Sequence, residues 1–143
     1  MEGEELIFFD SNYWIYLFDK NTPEHAYIKA HFESIYDQTC FAVNVIIMVE
    51  VMHYLIKRLG VVIAKEKWKL FKSIIFSIED LIQDELDIVF SELCRYTHVG
   101  IGGRDATILT HIKKKNIKKI CSHDKSFKKI EELEVIDPIP KYI

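Results

Sequence analysis

Little in this 143-residue chain would make linkers or covalent staples: it has five glycines, three prolines and three cysteines. So few Gly and Pro leave no material for long flexible connections, and the length suits a single domain over 1–143 with a sizeable core. Cys40, Cys94 and Cys121 lie far apart with no CxxC pair. That argues against a zinc site and a disulfide framework and suits a reducing cytoplasm. No apolar run approaches the roughly eighteen residues of a membrane span. The acidic opening "MEGEELIFF" lacks the basic region of a secretory signal. Repeats and low-complexity segments are absent too.

What is present is a strong asymmetry of charge beneath a net value of only −3. Residues 1–56 carry nine acids against two bases, a local −7, whereas residues 104–129 carry nine bases against two acids, a local +7. A polyanion could use the second region while avoiding much of the first. A solvated helix face over "HIKKKNIKK" is the plainer explanation of the lysines.

Hydrophobic patterning divides the chain into alternating strands and helices. "LIFF" (Leu6–Phe9) reads as a strand covered on both faces, followed at once by a helix, "SNYWIYLFD", capped by Asp10 or Ser11. Pro23 can open a second helix running to about Tyr36. "TCFAV" (Thr39–Val43) is a second strand, and Asn44 caps a long helix stopping near Gly60. "VVIAKEKWKLFKSIIFSI" has helical spacing, and Trp68, Phe71, Ile74 and Ile75 on it suit either core packing or a partner surface. "LDIVF" (Leu86–Phe90) reads as the third strand, with Ser91 capping "ELCRYTHVG". Gly100, Gly102 and Gly103 break the chain before a helix from about Asp105 to Lys115. "IKKICS", a short helix "KSFKKI" and "EVIDP" complete the series as strand four, helix and strand five. Such alternation predicts an α/β fold, a three-layer α/β/α sandwich on a mostly parallel sheet of about five strands. Ligands in such folds bind outside the carboxyl ends of the strands.

Four carboxylates fall where that rule puts a site. Asp10 follows strand one, Asp105 opens the helix after the glycine break, and Asp124 lies just past strand four. Glu50 sits about two turns into the helix leaving strand two. Each aspartate could simply cap a helix. Glu50 is harder to explain, because eleven of the fourteen residues from Val43 to Ile56 are apolar or aromatic. An isolated buried carboxylate costs several kcal/mol unless it finds a cation, shares a hydrogen bond or protonates; His53 is its nearest polar partner in sequence. Gathered carboxylates repel and call for a cation. Hard oxygen donors without a His/Cys cluster favour Mg²⁺ or Mn²⁺ over zinc. Such an ion can polarise a phosphodiester and activate water, and phosphate is what the +7 segment would attract.

"FFDSNYWIYL", "VIIMVEVMHYL", "GRDATILTHIKKK" and "ICSHDKSFKKI" together resemble the PIN domain, including VapC-type toxin nucleases, over nearly the whole chain. The motifs match at Asp10 with Ser11 and Asn12, at Glu50, at Asp105 with Ala106, and at Ser122–His123–Asp124, where threonine is commoner than Ser122. The resemblance implies Mg²⁺- or Mn²⁺-dependent cleavage of RNA. It gives Asp10, Glu50 and Asp105 as metal ligands, direct or through water, and Asp124 as ligand of a second metal or orienter of the attacking water. Ser122 supports that group, Asn12 bonds a carboxylate or a phosphate, and Arg104, His123 and Lys125 hold the scissile backbone. An antitoxin protein and a homodimer are partners it also implies. The flexible "GIGG" and the bulky helix pair over Gly60–Asp84 depart from the family pattern.

Competing readings are fewer. A phosphoacceptor receiver or aspartate-nucleophile phosphatase would want an acidic pair ahead of Asp10 or an acid two residues after it; the chain has Phe8–Phe9–Asp10 and Asn12. A non-catalytic PIN-like RNA-binding or assembly module would keep the acids as caps. His25, His31 and His53 follow no ligand spacing, and Cys94 with His98, one turn apart, is expected to pack structurally rather than bind metal.

Overall fold

The computed structural model describes residues 4–143; the first three positions of the acidic opening, and of the expected 1–143 domain, lie outside them. Strand β1 (Glu5–Phe9) leads into α1 (Ser11–Phe18), then α2 (His25–Ile35) and β2 (Thr39–Asn44). Helices α3 (Val45–Leu59) and α4 (Val61–Ile74) precede β3 (Ser77–Glu79). Helices α5 (Leu86–Tyr96) and α6 (Gly103–Lys114) precede β4 (Lys119–Cys121) and β5 (Glu134–Ile136).

All four strand pairings are parallel, in the order β3-β2-β1-β4-β5. Right-handed crossovers put α1 to α4 on one face and α5 and α6 on the other. The main helix contacts (α1 with α2 and α3, α3 with α4, α5 with α6) follow that division. The α/β/α sandwich expected from the alternation is therefore present. Because β1 is central, the chain grows one way through β2 and β3 and then crosses to β4. The topological switch point thus lies between the carboxyl ends of β1 and β4.

Local chemistry fixes the ends of these elements. Asp10 Oδ1 accepts the Ser11 N–H at 2.7 Å and Asn44 Oδ1 accepts the Ile47 N–H at 2.9 Å, so both expected caps are made. Gly60 ends α3 at φ +82°, a left-handed conformation that strains any residue with a Cβ. Between β1–β2 and the helices of one face, Phe9, Tyr13, Trp14, Phe18, Phe41 and Phe71 form a continuous aromatic core. Its ring centroids lie from 4.7 Å (Phe9–Phe41) to 6.3 Å (Trp14–Phe18) apart.

Several expectations need correcting. "LDIVF" is the first half of α5, not strand three, and Ser91 lies inside that helix rather than capping it. Val89, Leu93 and Tyr96, spaced four and three residues apart, are the positions that face the core, so helical periodicity overrides the β-branched composition. The true β3 is a three-residue strand where the lysine-rich helix was expected to continue. Pro23 lies in the turn before α2, which begins at His25, and "KSFKKI" makes only a 3₁₀ turn over Phe127–Lys129. Phe71 is fully buried, which removes the partner-surface reading for it, and Trp68, Ile74 and Ile75 pack against the core while remaining part-exposed. Cys94 and His98 are both exposed, so that pair does not pack structurally.

Candidate active site

The parallel sheet brings distant carboxylates to one edge. Asp10 follows β1 directly, and its backbone N–H donates to Cys121 O of β4 at 3.0 Å, which pins it at the switch point. Glu50 reaches the same place from the second turn of α3, and Asp105 from the first turn of α6. All three converge on the guanidinium of Arg104. Its Nε donates to Glu50 Oε1 at 2.6 Å, Nη1 to Asp105 Oδ1 at 2.5 Å, and Nη2 both to Asp10 Oδ1 and to Ser11 Oγ, the latter at 2.9 Å.

This arrangement answers the question of the carboxylate in an apolar helix. Glu50 is not deeply buried, its side chain being 36% exposed, and its partner is Arg104 rather than His53. Asp10 is the buried member, with a side chain 1% exposed. Burial works against the charge on Arg104, but Asp10 and Glu50 outweigh it and hold its pKa above the ordinary value. Burial raises the pKa of Asp105, against the opposing pull of the Gly102 N–H and Arg104, and the charge of Asp124 adds to the rise.

Asp124 stands one hydroxyl away from the cluster. Ser122 Oγ donates to Asp10 Oδ2 at 2.7 Å and accepts the Asp124 N–H at 3.0 Å. Asp124 Oδ1 itself accepts the Ser126 N–H at 2.9 Å. Asn12 Oδ1 accepts the His123 N–H at 3.3 Å, and so bonds backbone rather than a carboxylate. His123 Nδ1 is 2.8 Å from Asp137 Oδ2, which also accepts from Lys128, while Lys125 is exposed. Nothing local in the sequence connects Asp137 to the acids.

Behind the cluster runs a buried polar chain that motif reading also missed. Asn44 Nδ2 donates to Thr107 Oγ1 and to His111 Nδ1, each at 3.1 Å, and Thr107 Oγ1 donates to the Arg104 carbonyl at 2.6 Å. Accepting at Nδ1 leaves His111 with its proton on Nε2, which lies 3.4 Å from Glu85 Oε1. The cap of α3 and the first turn of α6 are thereby tied together. Those are the two segments that carry Glu50 and Asp105.

A cavity of about 470 Å³ opens beside the acids, between Ser11 and Glu50 at one end and Lys57 and Arg58 at the other, with His53 and Tyr54 on its wall. A larger one, about 740 Å³, lies between α2 and α4 and touches none of the four candidate acids. Among the described residues no helix is long and apolar enough to cross a membrane.

The family model described as PIN domain matches residues 7–133. The chain belongs to the PIN domain family. Solved PIN-like structures share its fold at low identity. VapC20 of Mycobacterium tuberculosis, described as a sarcin-ricin loop cleaving toxin, is 20% identical over 80% of this chain and 86% of its own, with a TM-score of 0.67. VapBC2 of Rickettsia felis, bound to a DNA fragment from its promoter, is 18% identical over 92% and 98%, at 0.71. A toxin–antitoxin complex from Klebsiella pneumoniae is 21% identical over 92% and 97%, at 0.68. No curated protein sequence matches the chain. With PIN membership shown, the receiver and phosphatase alternatives fall away.

As the side chains stand, the guanidinium lies among the carboxylates, and among the described residues no three acid, His or Cys side chains meet closely enough to ligate one metal ion directly. The donor chemistry nevertheless fits a divalent cation. Three carboxylates against one guanidinium leave the PIN cluster with a formal charge of −2, all its donors are hard oxygens, and it already requires a cation.

Proposed function

We propose that this PIN domain is a Mg²⁺- or Mn²⁺-dependent endoribonuclease that hydrolyses RNA phosphodiester bonds, as the toxin of a toxin–antitoxin pair. The observation that carries the reading is the convergence of Asp10, Glu50 and Asp105, from three separate elements, on one cation at the carboxyl ends of β1 and β4. Family membership and neighbours described as a sarcin-ricin loop cleaving toxin and as a toxin–antitoxin complex support it. An antitoxin and a second copy are the partners of that reading, and the cytoplasm is its setting.

Asp10, Glu50 and Asp105 would hold the ion, with Asp124 joining through the Ser122 bridge or at a second ion. When bound, the metal supplies charge neutralisation at the phosphate and lowers the pKa of an attacking water. The protein's own part is orientation. Ser122 fixes the Asp10 carboxylate from behind, Asn12 holds the His123 backbone, and the Asn44–Thr107–His111 chain keeps α3 and α6 in register. Arg104 has the planar fork suited to a phosphodiester oxygen pair.

The alternative, a non-catalytic RNA-binding or assembly module, draws on one observation: Arg104 already neutralises the acids in part. A cleavage assay over RNA pools, with and without Mn²⁺, decides between the two. Metal-dependent cleavage abolished in Asp10→Asn is expected. RNA that survives wild-type protein at all metal concentrations would leave only the module.

A further inference from the structure

We infer that Arg104 is a built-in, exchangeable counter-cation: it fills the carboxylate cluster in the metal-free protein, leaves it when a divalent ion enters, and is thereby released toward the substrate phosphate. The inference rests on the proposed reading of Asp10, Glu50 and Asp105 as a metal site, and concerns how that site is loaded.

The geometry is that of a competitor rather than a neighbour. All three guanidinium nitrogens are engaged, each with a different carboxylate, and Nη2 adds Ser11. The guanidinium occupies the space between the three acids that a shared ion would take, and two cations placed there would repel each other, so metal and Arg104 compete for the site. The ion-paired lysines are directed elsewhere: Lys113 to Glu92, Lys114 to Glu85, Lys115 to Glu79, Lys119 to Glu5 and Lys128 to Asp137.

An exit is available. Arg104 retains 28% side-chain exposure while its guanidinium is bonded to three acids, so rotation about its own side-chain bonds can carry the guanidinium to solvent. Gly102 and Gly103, immediately before it, have nothing within 4 Å of where a Cβ would be. The backbone of the first turn of α6 stays held by Thr107 Oγ1 and the buried Ala106, so the movement is one of the Arg104 side chain alone.

Exchange has a thermodynamic signature that a static ion-pair network lacks. If guanidinium and metal compete for the same oxygens, removing the first must loosen the metal-free protein and tighten metal binding. The same residue would then serve the bound phosphate, so its removal should lower turnover. Affinity for metal rising while turnover falls separates exchange from simple structural damage.

The test uses the whole chain as wild type, Arg104→Lys and Arg104→Gln, freed of metal with chelator and titrated with Mn²⁺ by calorimetry and thermal shift. Arg104→Gln should melt lower in chelator, bind Mn²⁺ about tenfold or more tightly, and gain more melting temperature from it. Arg104→Lys, which keeps charge but loses the three-way fork, should fall between. A second measurement needs no variant. Phenylglyoxal should spare Arg104 in wild type without metal and modify it once Mn²⁺ is added, read by peptide mass. Equal or weaker Mn²⁺ affinity in Arg104→Gln, or Arg104 labelling indifferent to Mn²⁺, overturns the exchange while the metal site stands. If neither wild type nor Arg104→Gln binds Mn²⁺, the metal-site reading itself is wrong, and the exchange goes with it.

Discussion

Glu85 offers a quantitative check on the frame that holds the site. Its carboxylate is buried at the entrance to α5 and accepts the Ile82 N–H at 3.1 Å and Lys114 Nζ at 3.0 Å, with His111 Nε2 at 3.4 Å. The Ile82 N–H is the largest of the influences that bring its pKa down to about 2, ahead of the contrary effect of burial and the help of Lys114 and His111. Against an ordinary glutamate near 4.3, at about 1.4 kcal/mol per pH unit, that amounts to about 3 kcal/mol of folding stability. Lys114 is half exposed, so solvent screens its share, and about 2 kcal/mol is a fair figure. The sign follows from proton uptake. A carboxyl with a depressed folded pKa binds a proton more readily when unfolded, so its contribution is complete above about pH 4.5 and lost as pH falls toward 2. Glu85→Gln keeps the shape but turns an N–H₂ group toward His111 or Lys114. At pH 7 it should melt about 4–8 °C below wild type, at roughly 2–4 °C per kcal/mol for a chain of this size. Melting curves collected by circular dichroism between pH 7 and pH 2.5 should show the two proteins converging. A gap that stays constant across that range would refute the electrostatic account and leave packing as its source.

Three further outcomes follow from the same geometry. Ser122→Ala removes the hydroxyl between Asp10 and Asp124; it should cost about 1–2 kcal/mol in urea unfolding and reduce Mn²⁺-dependent RNA cleavage about tenfold or more by freeing the Asp10 carboxylate. Lys57→Ala with Arg58→Ala, at the far end of the cavity beside Glu50, should weaken RNA binding in a metal-free anisotropy assay and reduce the slope of log affinity against log salt by about one to two. Phe71→Ala, which opens a hole against Trp14, Phe18 and Trp68, should cost about 3–5 kcal/mol by urea titration; a near-neutral result would return that face of α4 to the role of a partner surface.

The sequence made some of this legible for identifiable reasons. Strands β1 and β2 are continuous apolar runs punctuated by a polar cap, and both Asp10 and Asn44 bond the helix starts that follow. Alternation alone was enough for a parallel sheet, since parallel strands need crossovers. The failure over Leu86–Phe90 is equally physical. A run of Leu, Ile, Val and Phe satisfies strand propensity, yet Ile88 and Phe90 are exposed and only Val89 of that run packs on the core. The signal that decides the matter is the spacing of Val89 to Leu93 and Tyr96, beyond the run itself. Strand β3, three residues long, is too short to show any period. It is defined by pairing with β2 through Ala42, Val43 and Asn44, contacts more than thirty positions away.

Arg104 shows where motif reading stops and geometry begins. Its place beside Asp105 marks it as a base flanking the acids, and adjacency says nothing about Asp10, 94 positions earlier, or Glu50, 54 positions earlier. Only the sheet order makes those three one site: β1 at the centre delivers Asp10, α3 brings Glu50 back along one face, and α6 brings Arg104 and Asp105 along the other. The charge asymmetry then acquires a structural meaning. Asp10 and Glu50 belong to the acidic stretch, while Arg104 is the first base of the basic one, and the two stretches meet at the guanidinium. Glu50 can stand in an apolar helix because that helix is two-sided, with Ile47, Val51 and Leu55 buried along one face and Val49 and His53 exposed on the other. Its carboxylate emerges at the rim, where a cation from the opposite face is waiting.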